Sequence, residues 1–569
     1  MVGPVVVVGV SGDAAGEEPG ALGVPVPAAP VGSTGVAVVP GAAARASAKP
    51  GWSPVKGESG EGMLVWSVTS WSLGGVPWAR ARTFPSAADT MEPVTEENST
   101  FIPSLTIIGG GPGGYEAAMV AAKLGARVTL VERQGVGGAA VLTDVVPSKT
   151  LIAAADSMRR VGASVDLGVD LGGGDVHADM GRVGHRILNL AHEQSSDIRA
   201  GLERVGVRVI DGVGRVVGPH EVSVRALDDA DAGAEPEIIT SDAILVAVGA
   251  SPRELPTAVP DGERIFNWKQ VYNLKELPEH LIVVGSGVTG AEFASAYNRL
   301  GAKVTLVSSR DRVLPGEDAD AAELLEKVFE GNGLRVVSRS RAESVERTET
   351  GVRVHLSGEG AEDTPSIEGS HALVAVGGVP NTAGLGLDDV GVKLSGSGHV
   401  LVDGVSRTSV PSIYAAGDCT GKLALASVAA MQGRIAVAHL LGDALKPLRP
   451  HLLASNIFTS PEIATVGVSQ AQVDSGQYQA DVLRLDFHTN PRAKMSGAEE
   501  GFVKIFARQG SGTVIGGVVV SPRASELIYA LALAVTHKLH VDDLADTFTV
   551  YPSMSGSIAE AARRLHVRI

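Results

Sequence analysis

Two stretches of the chain show the same order of hydrophobic and polar positions. In the first, an apolar run at 105–108 is followed by a Gly-rich turn, an amphipathic helix and a second apolar run that ends at 132. The second repeats this order between 281–284 and 308. Strand, turn, helix and strand in this sequence predict a βαβ unit with parallel strands. We therefore expect an α/β protein with two related units.

Both turns carry the spacing G-x-G-x-x-G between strand and helix. The glycines are Gly109, Gly111 and Gly114 in the first unit and Gly285, Gly287 and Gly290 in the second. The first glycine of such a turn permits a tight bend, the second lets the backbone approach a pyrophosphate, and the third lets helix and strand pack closely. Since the pyrophosphate rests on the helix N-terminus, the repeat predicts two dinucleotide sites.

The residue at the end of each second strand differs between the units. Glu132 can accept hydrogen bonds from a ribose diol, whereas Ser308 stands at the matching position of the second unit. No carboxylate there would repel a 2′-phosphate, and Arg310 or Arg312 could bind one. The alternative is that these arginines are only solvated, so the choice between NADH and NADPH stays open.

Residues 1–100 are rich in Gly, Ala, Pro, Val and Ser and show no helical or strand period. We expect this extension to be disordered, because it cannot bury enough apolar surface to fold. Met91 precedes the first patterned segment and is a plausible true start, which leaves open whether the first ninety residues are translated.

Composition narrows the possible partners and location. The formal net charge of −16 argues against nucleic acid and against an anionic membrane surface. We find no apolar run near the roughly 18 residues that span a bilayer, and no metal site is singled out. Cys419 is the only cysteine and cannot form an intramolecular disulfide, which fits a reducing cytoplasm. We expect it to be a small buried residue.

The segment 137–149 reads GGAAVLTDVVPSK. It resembles the redox-active segment of the flavoprotein disulfide reductases, which reads GG-T-C-x-x-x-x-C-x-P-S-K. The framing glycines and the P-S-K end are present, but Ala140 and Val145 stand at the two cysteine positions. Because a dithiol exchanges electrons only through paired sulfurs, the chain is not expected to be a disulfide reductase of that type.

Other segments extend this resemblance from about 105 to 565. SIYAAGDC at 412–419 is similar to the family's second FAD fingerprint, in which Gly417 permits close approach and Asp418 binds the ribityl chain. The segments 244–253 and 373–381, with Gly249 and Gly377, resemble the crossing points between the two nucleotide domains.

The resemblance implies two Rossmann-like domains, for FAD and NAD(P), and a C-terminal α+β dimerisation domain. The expected boundaries are 101–277 and 379–449 for the two parts of the FAD domain, 278–378 for the NAD(P) domain and 450–569 for the dimerisation domain.

The family also predicts what is left of the active site. Lys149 and Glu292 match a pair that lies near flavin N5, where hydride arrives, although an ordinary structural ion pair is the alternative. The family's base, a histidine from the partner subunit with its glutamate, is replaced by Tyr551 and Gly556. The role of Tyr551 is left open.

The cysteine-free GGAAVL…VPSK and the C-terminal YPSMSGS…EAARRL together resemble actinobacterial, lipoamide-dehydrogenase-like NAD(P)H quinone reductases. This implies FAD, NADH or NADPH as donor, a homodimer, and a quinone that binds an apolar slot at Ala140 and Val145. Alternatives are a slow NADH oxidase, a flavin-bound sensor or scaffold and, last, a dihydrolipoamide dehydrogenase. The natural acceptor is not named by the sequence.

Overall fold

The computed structural model describes residues 102–173, 176–227 and 235–566. The predicted disordered extension and Met91 lie outside these residues. Single 3₁₀ turns occur at Val271–Asn273, Glu359–Ala361, Asp418–Thr420, Pro450–Leu452 and Phe487–Thr489.

The first part of the chain forms most of one sheet. Its strands are β1 Ser104–Ile108, β2 Arg127–Glu132, β3 Arg208–Gly218, β4 Glu221–Ala226, β5 Glu237–Thr240, β6 Ala243–Val246 and β7 Ala250–Pro252. Its helices are α1 Pro112–Lys123, α2 Gly138–Leu142, α3 Val145–Ser164 and α4 Met180–Arg204. The continuous apolar runs of β1 and β6 are buried, as expected for central parallel strands covered on both faces.

The second part forms a separate parallel sheet with a small antiparallel sheet beside it. Its strands are β8 Ile265–Asn267, β9 His280–Val284, β10 Lys303–Val307, β11 Arg335–Val337, β12 Arg341–Arg347, β13 Val352–Ser357, β14 Ser366–Gly369, β15 His371–Val374 and β16 Gly378–Pro380. The helices are α5 Val288–Leu300 and α6 Ala319–Gly331.

The parallel sheet has the order β11-β10-β9-β15-β8, and β12-β13-β14 form the antiparallel one. Strand β8 pairs with β15 although it precedes the predicted domain boundary at residue 278.

The chain then returns to the first sheet through β17 Ile413–Ala415 and α7 Ala426–Leu440. The completed sheet has the order β17-β6-β1-β2-β3-β4-β5. Strands β7 and β16 pair with each other, so the two predicted crossing segments form one ribbon between the sheets. Helix α7 lies against α1 so closely that a Cβ on Gly433 would be 2.2 Å from the Gly113 oxygen.

The last part is an antiparallel sheet with helices. Its strands are β18 Ala454–Ile457, β19 Glu462–Gly467, β20 Ala480–Asp486, β21 Phe502–Arg508 and β22 Val514–Ser521, in the order β18-β19-β22-β21-β20. The helices are α8 Gln470–Asp474, α9 Pro491–Met495, α10 Ala524–His537, α11 Val541–Asp546 and α12 Gly556–Arg564. Strands β21 and β22 form an antiparallel pair around a glycine-containing turn, and α10 follows as the longest helix of this part.

Buried polar contacts attach this last sheet to the second one. The Lys504 ammonium lies 2.8 Å from Asp318 and 2.6 Å from Asp320, and the side chains of Lys504 and Asp318 are each 3% exposed. The Ser460 amide donates to Ser295 Oγ at 3.1 Å. A buried charge is stable only when paired, so these contacts hold the two sheets in one relative position.

The stretch Gly138–Ser164 is long and apolar enough for a membrane span by length and composition, since an 18-residue window within it has a mean hydropathy of 1.2, which corrects the expectation that no such run exists. Within it, α2 ends at Leu142 before α3 begins, and α3 packs against α4 and α5. Its Asp156 forms an ion pair with Arg299. These contacts pack one face of α3 against the folded chain.

Candidate active site

The two glycine turns have the same backbone geometry. Gly109 has φ +104° and Gly285 has φ +111°, a region that favours glycine. A Cβ on Gly114 would lie 1.9 Å from the Gly109 oxygen, and one on Gly290 would lie 1.8 Å from the Gly285 oxygen. Both turns therefore need glycine at the first and sixth positions, as predicted from the spacing.

Glu132 closes the first turn from the end of β2. One carboxylate oxygen accepts a hydrogen bond from the Gly110 amide at 2.6 Å, and the other accepts one from the Gln134 amide at 2.6 Å. The residue is buried and lies on the wall of a cavity. An ionised carboxylate with two amide donors has capacity for further donors, such as hydroxyls of a bound ribose.

The matching Ser308 is fully buried and lies directly after β10. Its hydroxyl is 2.7 Å from the Ser286 hydroxyl and accepts from the Arg310 amide at 3.1 Å. Arg310 is exposed, whereas Arg312 is half-buried and its Nε has no hydrogen-bond partner among the described residues. The end of the second unit thus carries no carboxylate, the Arg312 Nε is buried, and the exposed guanidinium here is that of Arg310.

One cavity of about 1530 Å³ brings most of the predicted site together. Its lining includes Gly109, Gly111, Glu132, Ala140, Val145, Lys149, Gly249, Glu292, Gly377, Gly417 and Asp418. Gly114 lies behind it under the turn. The predicted residues of the second unit are not part of this lining: Gly285, Gly287, Gly290, Ser308 and Arg310. Helix α5 nevertheless reaches the cavity through Val288, Thr289 and Glu292.

The residues around this cavity fit a flavin dinucleotide. A Cβ on Gly111 would meet nothing within 4 Å, so the turn is open where a pyrophosphate would approach the N-terminus of α1. Glu132 lies beside this turn. Asp418 lies at the other side, where burial raises the pKa of its carboxyl. The volume exceeds the usual range for drug-sized ligands, about 300–1,000 Å³, as an extended dinucleotide requires.

Lys149 and Glu292 form an ion pair of 2.8 Å between α3 and α5. The other Glu292 oxygen accepts a hydrogen bond from the Phe458 amide at 2.8 Å. The Lys149 ammonium also lies 4.7 Å from the centroid of the Phe458 ring. Glu292 is buried, whereas the Lys149 side chain is 28% exposed towards the cavity. The pair therefore places a cation on the cavity wall and links the two nucleotide units to the C-terminal sheet.

The two vacated cysteine positions lie on the same wall. Ala140 is in α2 and Val145 is the first residue of α3, and both are half-buried. The Gly137 amide donates to the Gly110 oxygen at 2.8 Å, which ties this segment to the first turn. Ala140 and Val145 present an apolar surface with no redox-active group of their own.

Gly249 and Gly377 lie at the crossing points with φ +64° and +94°, and both line the cavity. The Gly417 amide donates to Gln432 Oε1 at 2.9 Å, which fixes the turn before Asp418. Cys419 is buried, and burial raises the pKa of its thiol to about 12. Its expected role as a small buried residue agrees with this environment.

Tyr551 does not reach the cavity of its own chain. Its side chain is 83% exposed, and the neighbouring Phe548 and Val550 are exposed as well. Gly556 is the first residue of α12, and its amide donates to Ser553 Oγ at 3.0 Å. A role for Tyr551 at the cavity therefore requires a second subunit.

Sequence reasoning missed several titratable groups on the cavity wall, among them Asp144 and Lys269. Asp144 lies between Ala140 and Val145, and burial raises the pKa of its carboxyl to about 6. Burial also lowers the pKa of Lys269, whose ammonium lies over the Trp268 ring at 5.5 Å. Asp144 is part of the segment 137–149, but nothing in the sequence indicates that its carboxyl is buried.

Within the described ranges, no group of His, Cys, Asp and Glu side chains is arranged to hold a metal ion.

Comparison with known proteins follows the same division of the chain. Residues 103–433 match the family described as pyridine nucleotide-disulphide oxidoreductase. Residues 453–562 match the dimerisation domain of the same family.

Two relatives of the chain carry different names. An NAD(P)H dehydrogenase (quinone) of Mycobacterium tuberculosis is 51% identical over 470 residues, which cover 81% of this chain and 93% of that protein. A dihydrolipoyl dehydrogenase of Chlorobaculum tepidum is 34% identical over 458 residues, which cover 80% and 96%. The crystal structure of LpdA from Mycobacterium tuberculosis aligns with a TM-score of 0.76 and 50% identity over 82% of this chain and 100% of that one.

Proposed function

The chain belongs to the pyridine nucleotide-disulphide oxidoreductase family, and on this premise we propose that it is an FAD-dependent NAD(P)H:quinone oxidoreductase without a redox-active disulfide. The observation that carries the proposal is the intact dinucleotide cavity with Ala140 and Val145 where the sulfurs would be. The relative named NAD(P)H dehydrogenase (quinone) is 51% identical, against 34% for the dihydrolipoyl dehydrogenase, which supports the quinone as acceptor.

The residues of the first unit would hold FAD. The open turn at Gly111 would receive the pyrophosphate, Glu132 the ribose and Asp418 the ribityl chain. Bound there, FAD would supply the hydride-accepting and electron-transferring chemistry between NAD(P)H and the quinone. The cation of Lys149, held by Glu292, would stabilise the negative charge that develops at this wall, because a preorganised charge costs no reorganisation during the reaction.

The second unit would bind the nicotinamide coenzyme on the N-terminus of α5. Ser308 supports acceptance of both NADH and NADPH, since no carboxylate at this strand end repels a 2′-phosphate, and the exposed Arg310 would supply a guanidinium for it. We expect the two coenzymes to be used within about tenfold of each other, which corresponds to about 1.4 kcal/mol.

A flat quinone would stack on the apolar surface of Ala140 and Val145, on the face opposite the nicotinamide. The exposed Tyr551, Phe548 and Val550 support a homodimer in which Tyr551 of the partner subunit completes this slot. The single cysteine supports a cytoplasmic location.

Steady-state turnover with NADH and benzoquinone tests the proposal. We expect continuous hydroquinone formation by a yellow dimer that contains one FAD per chain, and no reduction of lipoamide. One round of flavin reduction followed by arrest would instead indicate a sensor or scaffold. Oxygen as the only effective acceptor would indicate a slow NADH oxidase, and efficient lipoamide turnover would overturn the proposal.

Stopped-flow measurements on Val145→Trp test the position of the slot. We expect fast flavin reduction by NADH and slow reoxidation by quinone, since the added ring fills only the acceptor face. Val165→Trp, an exposed position just after α3, is the matched control. Equal slowing of both half-reactions would mean that the flavin itself is disturbed. Unchanged rates would mean that quinone shares the nicotinamide pocket.

A further inference from the structure

Asp144 stands between the two vacated cysteine positions with its backbone fully engaged. Its amide donates to the Ala139 oxygen at 2.8 Å, and its carbonyl accepts from the Ser148 amide at 2.7 Å and from the Tyr272 hydroxyl at 3.4 Å. The side chain does not cap α3, and the residue lines the cavity. The backbone is thus fixed while no hydrogen bond from the described residues occupies the carboxyl.

Charged groups from several elements act on this carboxyl: Lys149 from α3, Glu292 from α5, Asp418 from its 3₁₀ turn and Lys269 from the segment before Val271–Asn273. The pKa of Asp144 is raised to about 6, and burial is the largest cause. The two other carboxylates act in the same direction as burial, and the two lysines oppose them. A carboxylic acid with a pKa near neutrality is suited to proton transfer.

Quinone reduction needs such an acid. A quinone gains two electrons and two protons, whereas NAD(P)H supplies two electrons and one proton as hydride. Neither Ala140 nor Val145 can supply the second proton. We infer that Asp144 is the proton donor to one oxygen of the quinone, an assignment that rests on the proposed function. The carboxyl O–H bond breaks as an O–H bond forms on the quinone, NAD(P)H is oxidised, and the carboxylate regains a proton from water.

The direction of the pH dependence follows from this pKa. The donor is protonated below about pH 6, so quinone turnover should be highest there and fall as pH rises.

The same carboxyl also makes the free energy of unfolding depend on pH. Because the folded pKa lies above the unfolded value of about 3.9, its stabilising contribution is complete below that value and is lost as pH rises through about 6. Asp144→Asn should therefore melt higher than wild type at pH 8, and this difference should close towards pH 4.

The test uses holoenzyme of wild type, Asp144→Asn and Asp166→Asn. Asp166 is an exposed carboxyl just after α3 and serves as the matched control. Turnover is measured with benzoquinone, which takes up protons, and with ferricyanide, which takes up electrons alone. We expect Asp144→Asn to lose about 100-fold in kcat with benzoquinone, the lower end for a positioned acid, and to keep its ferricyanide rate. The rate of quinone reduction by this variant should also no longer decrease above pH 6.

The other outcomes would contradict either the role of Asp144 alone or the proposed function as well. Equal loss with both acceptors, or no loss with either, would overturn the role of Asp144 as donor while leaving quinone reductase function in place. A wild type that reduces ferricyanide but no quinone would overturn the proposed function and the donor with it. A melting temperature of Asp144→Asn that follows wild type at every pH would show that this carboxyl does not titrate in the expected range.

Discussion

The two βαβ units of this chain share one backbone and differ at the end of the second strand. Their first glycines have φ +104° and +111°, and a Cβ on the third glycine would lie 1.9 Å from the oxygen of the first in one unit and 1.8 Å in the other. At the strand end, one unit has a buried carboxylate, Glu132, and the other a buried hydroxyl, Ser308. We therefore expect the glycines to set how a dinucleotide is held and this single side chain to select which dinucleotide binds.

The units also differ in their surroundings. The first turn is covered by α2, since the Gly137 amide bonds to Gly110 and a Cβ on Gly138 would lie 2.8 Å from the Gly111 Cα. The second turn has a matching bond, from the Leu314 amide to the Ser286 oxygen at 2.9 Å, but it contributes to the cavity only through α5. The difference in their share of the cavity agrees with a resident cofactor in the first unit and an exchanging coenzyme in the second.

The largest expected effect comes from adding one methyl group to each turn. Gly114→Ala should abolish flavin retention, and Gly290→Ala should leave flavin bound but prevent reduction by NADH, because each methyl meets a backbone oxygen. The cost of such overpacking is about 3 kcal/mol. Gly162→Ala in α3 has open space and is the control. Flavin absorbance and NADH titration measure both, and equal behaviour of the two variants would refute different roles for the units.

The next largest effect is expected from removing the Lys149–Glu292 ion pair, which joins the two units. Lys149→Met should slow flavin reduction by NADH about 100-fold, comparable to loss of one preorganised donor at a reacting centre. Lys123→Met at the exposed end of α1 should have no effect. Stopped-flow absorbance gives the rate. A normal rate with a lowered melting temperature would show that the pair is only structural.

Glu132→Ala tests the carboxylate end of the comparison. Loss of the charged acceptor for the Gly110 and Gln134 amides should weaken FAD binding by about tenfold to 100-fold, with about 1.4 kcal/mol for each factor of ten. Titration of apoprotein with FAD measures this. The KM for NADH should not change, and a parallel rise would mean that Glu132 acts on both sites.

Ser308→Glu tests the hydroxyl end by making the second unit resemble the first. We expect the KM for NADPH to rise about tenfold, or about 1.4 kcal/mol, while the KM for NADH stays near wild type. Ser309→Glu adds the same charge at the exposed neighbouring residue and serves as the control. An equal effect on both coenzymes would place Ser308 away from the 2′-phosphate.

The smallest effect is expected from removal of residues 1–98. This segment has no helical or strand period and contains no part of either βαβ unit. The melting temperature, flavin content and turnover of the shortened protein should therefore equal those of the full chain. Differential scanning calorimetry and steady-state kinetics provide the comparison. A large fall in melting temperature would show that the extension stabilises one of the units.

The family, the enzyme class and the cofactors were predicted from the sequence and are confirmed by the comparisons. This was possible because glycine turns depend on local backbone geometry, which a few neighbouring residues specify. The absence of the sulfurs could likewise be read directly at Ala140 and Val145. The roles assigned to individual site residues stay predictions.

Tertiary structure alone decided the environment of those residues. Strand β8 joins the second sheet before the expected boundary because strand pairing is set by partners far along the chain. Glu292 is held by Phe458, 166 residues away in the sequence, and the pKa of Asp144 is raised to about 6 by burial and by charges from separate segments. Residue identities and local turns are properties of the sequence, whereas burial and the electric field at a carboxyl are sums over neighbours that only folding brings together.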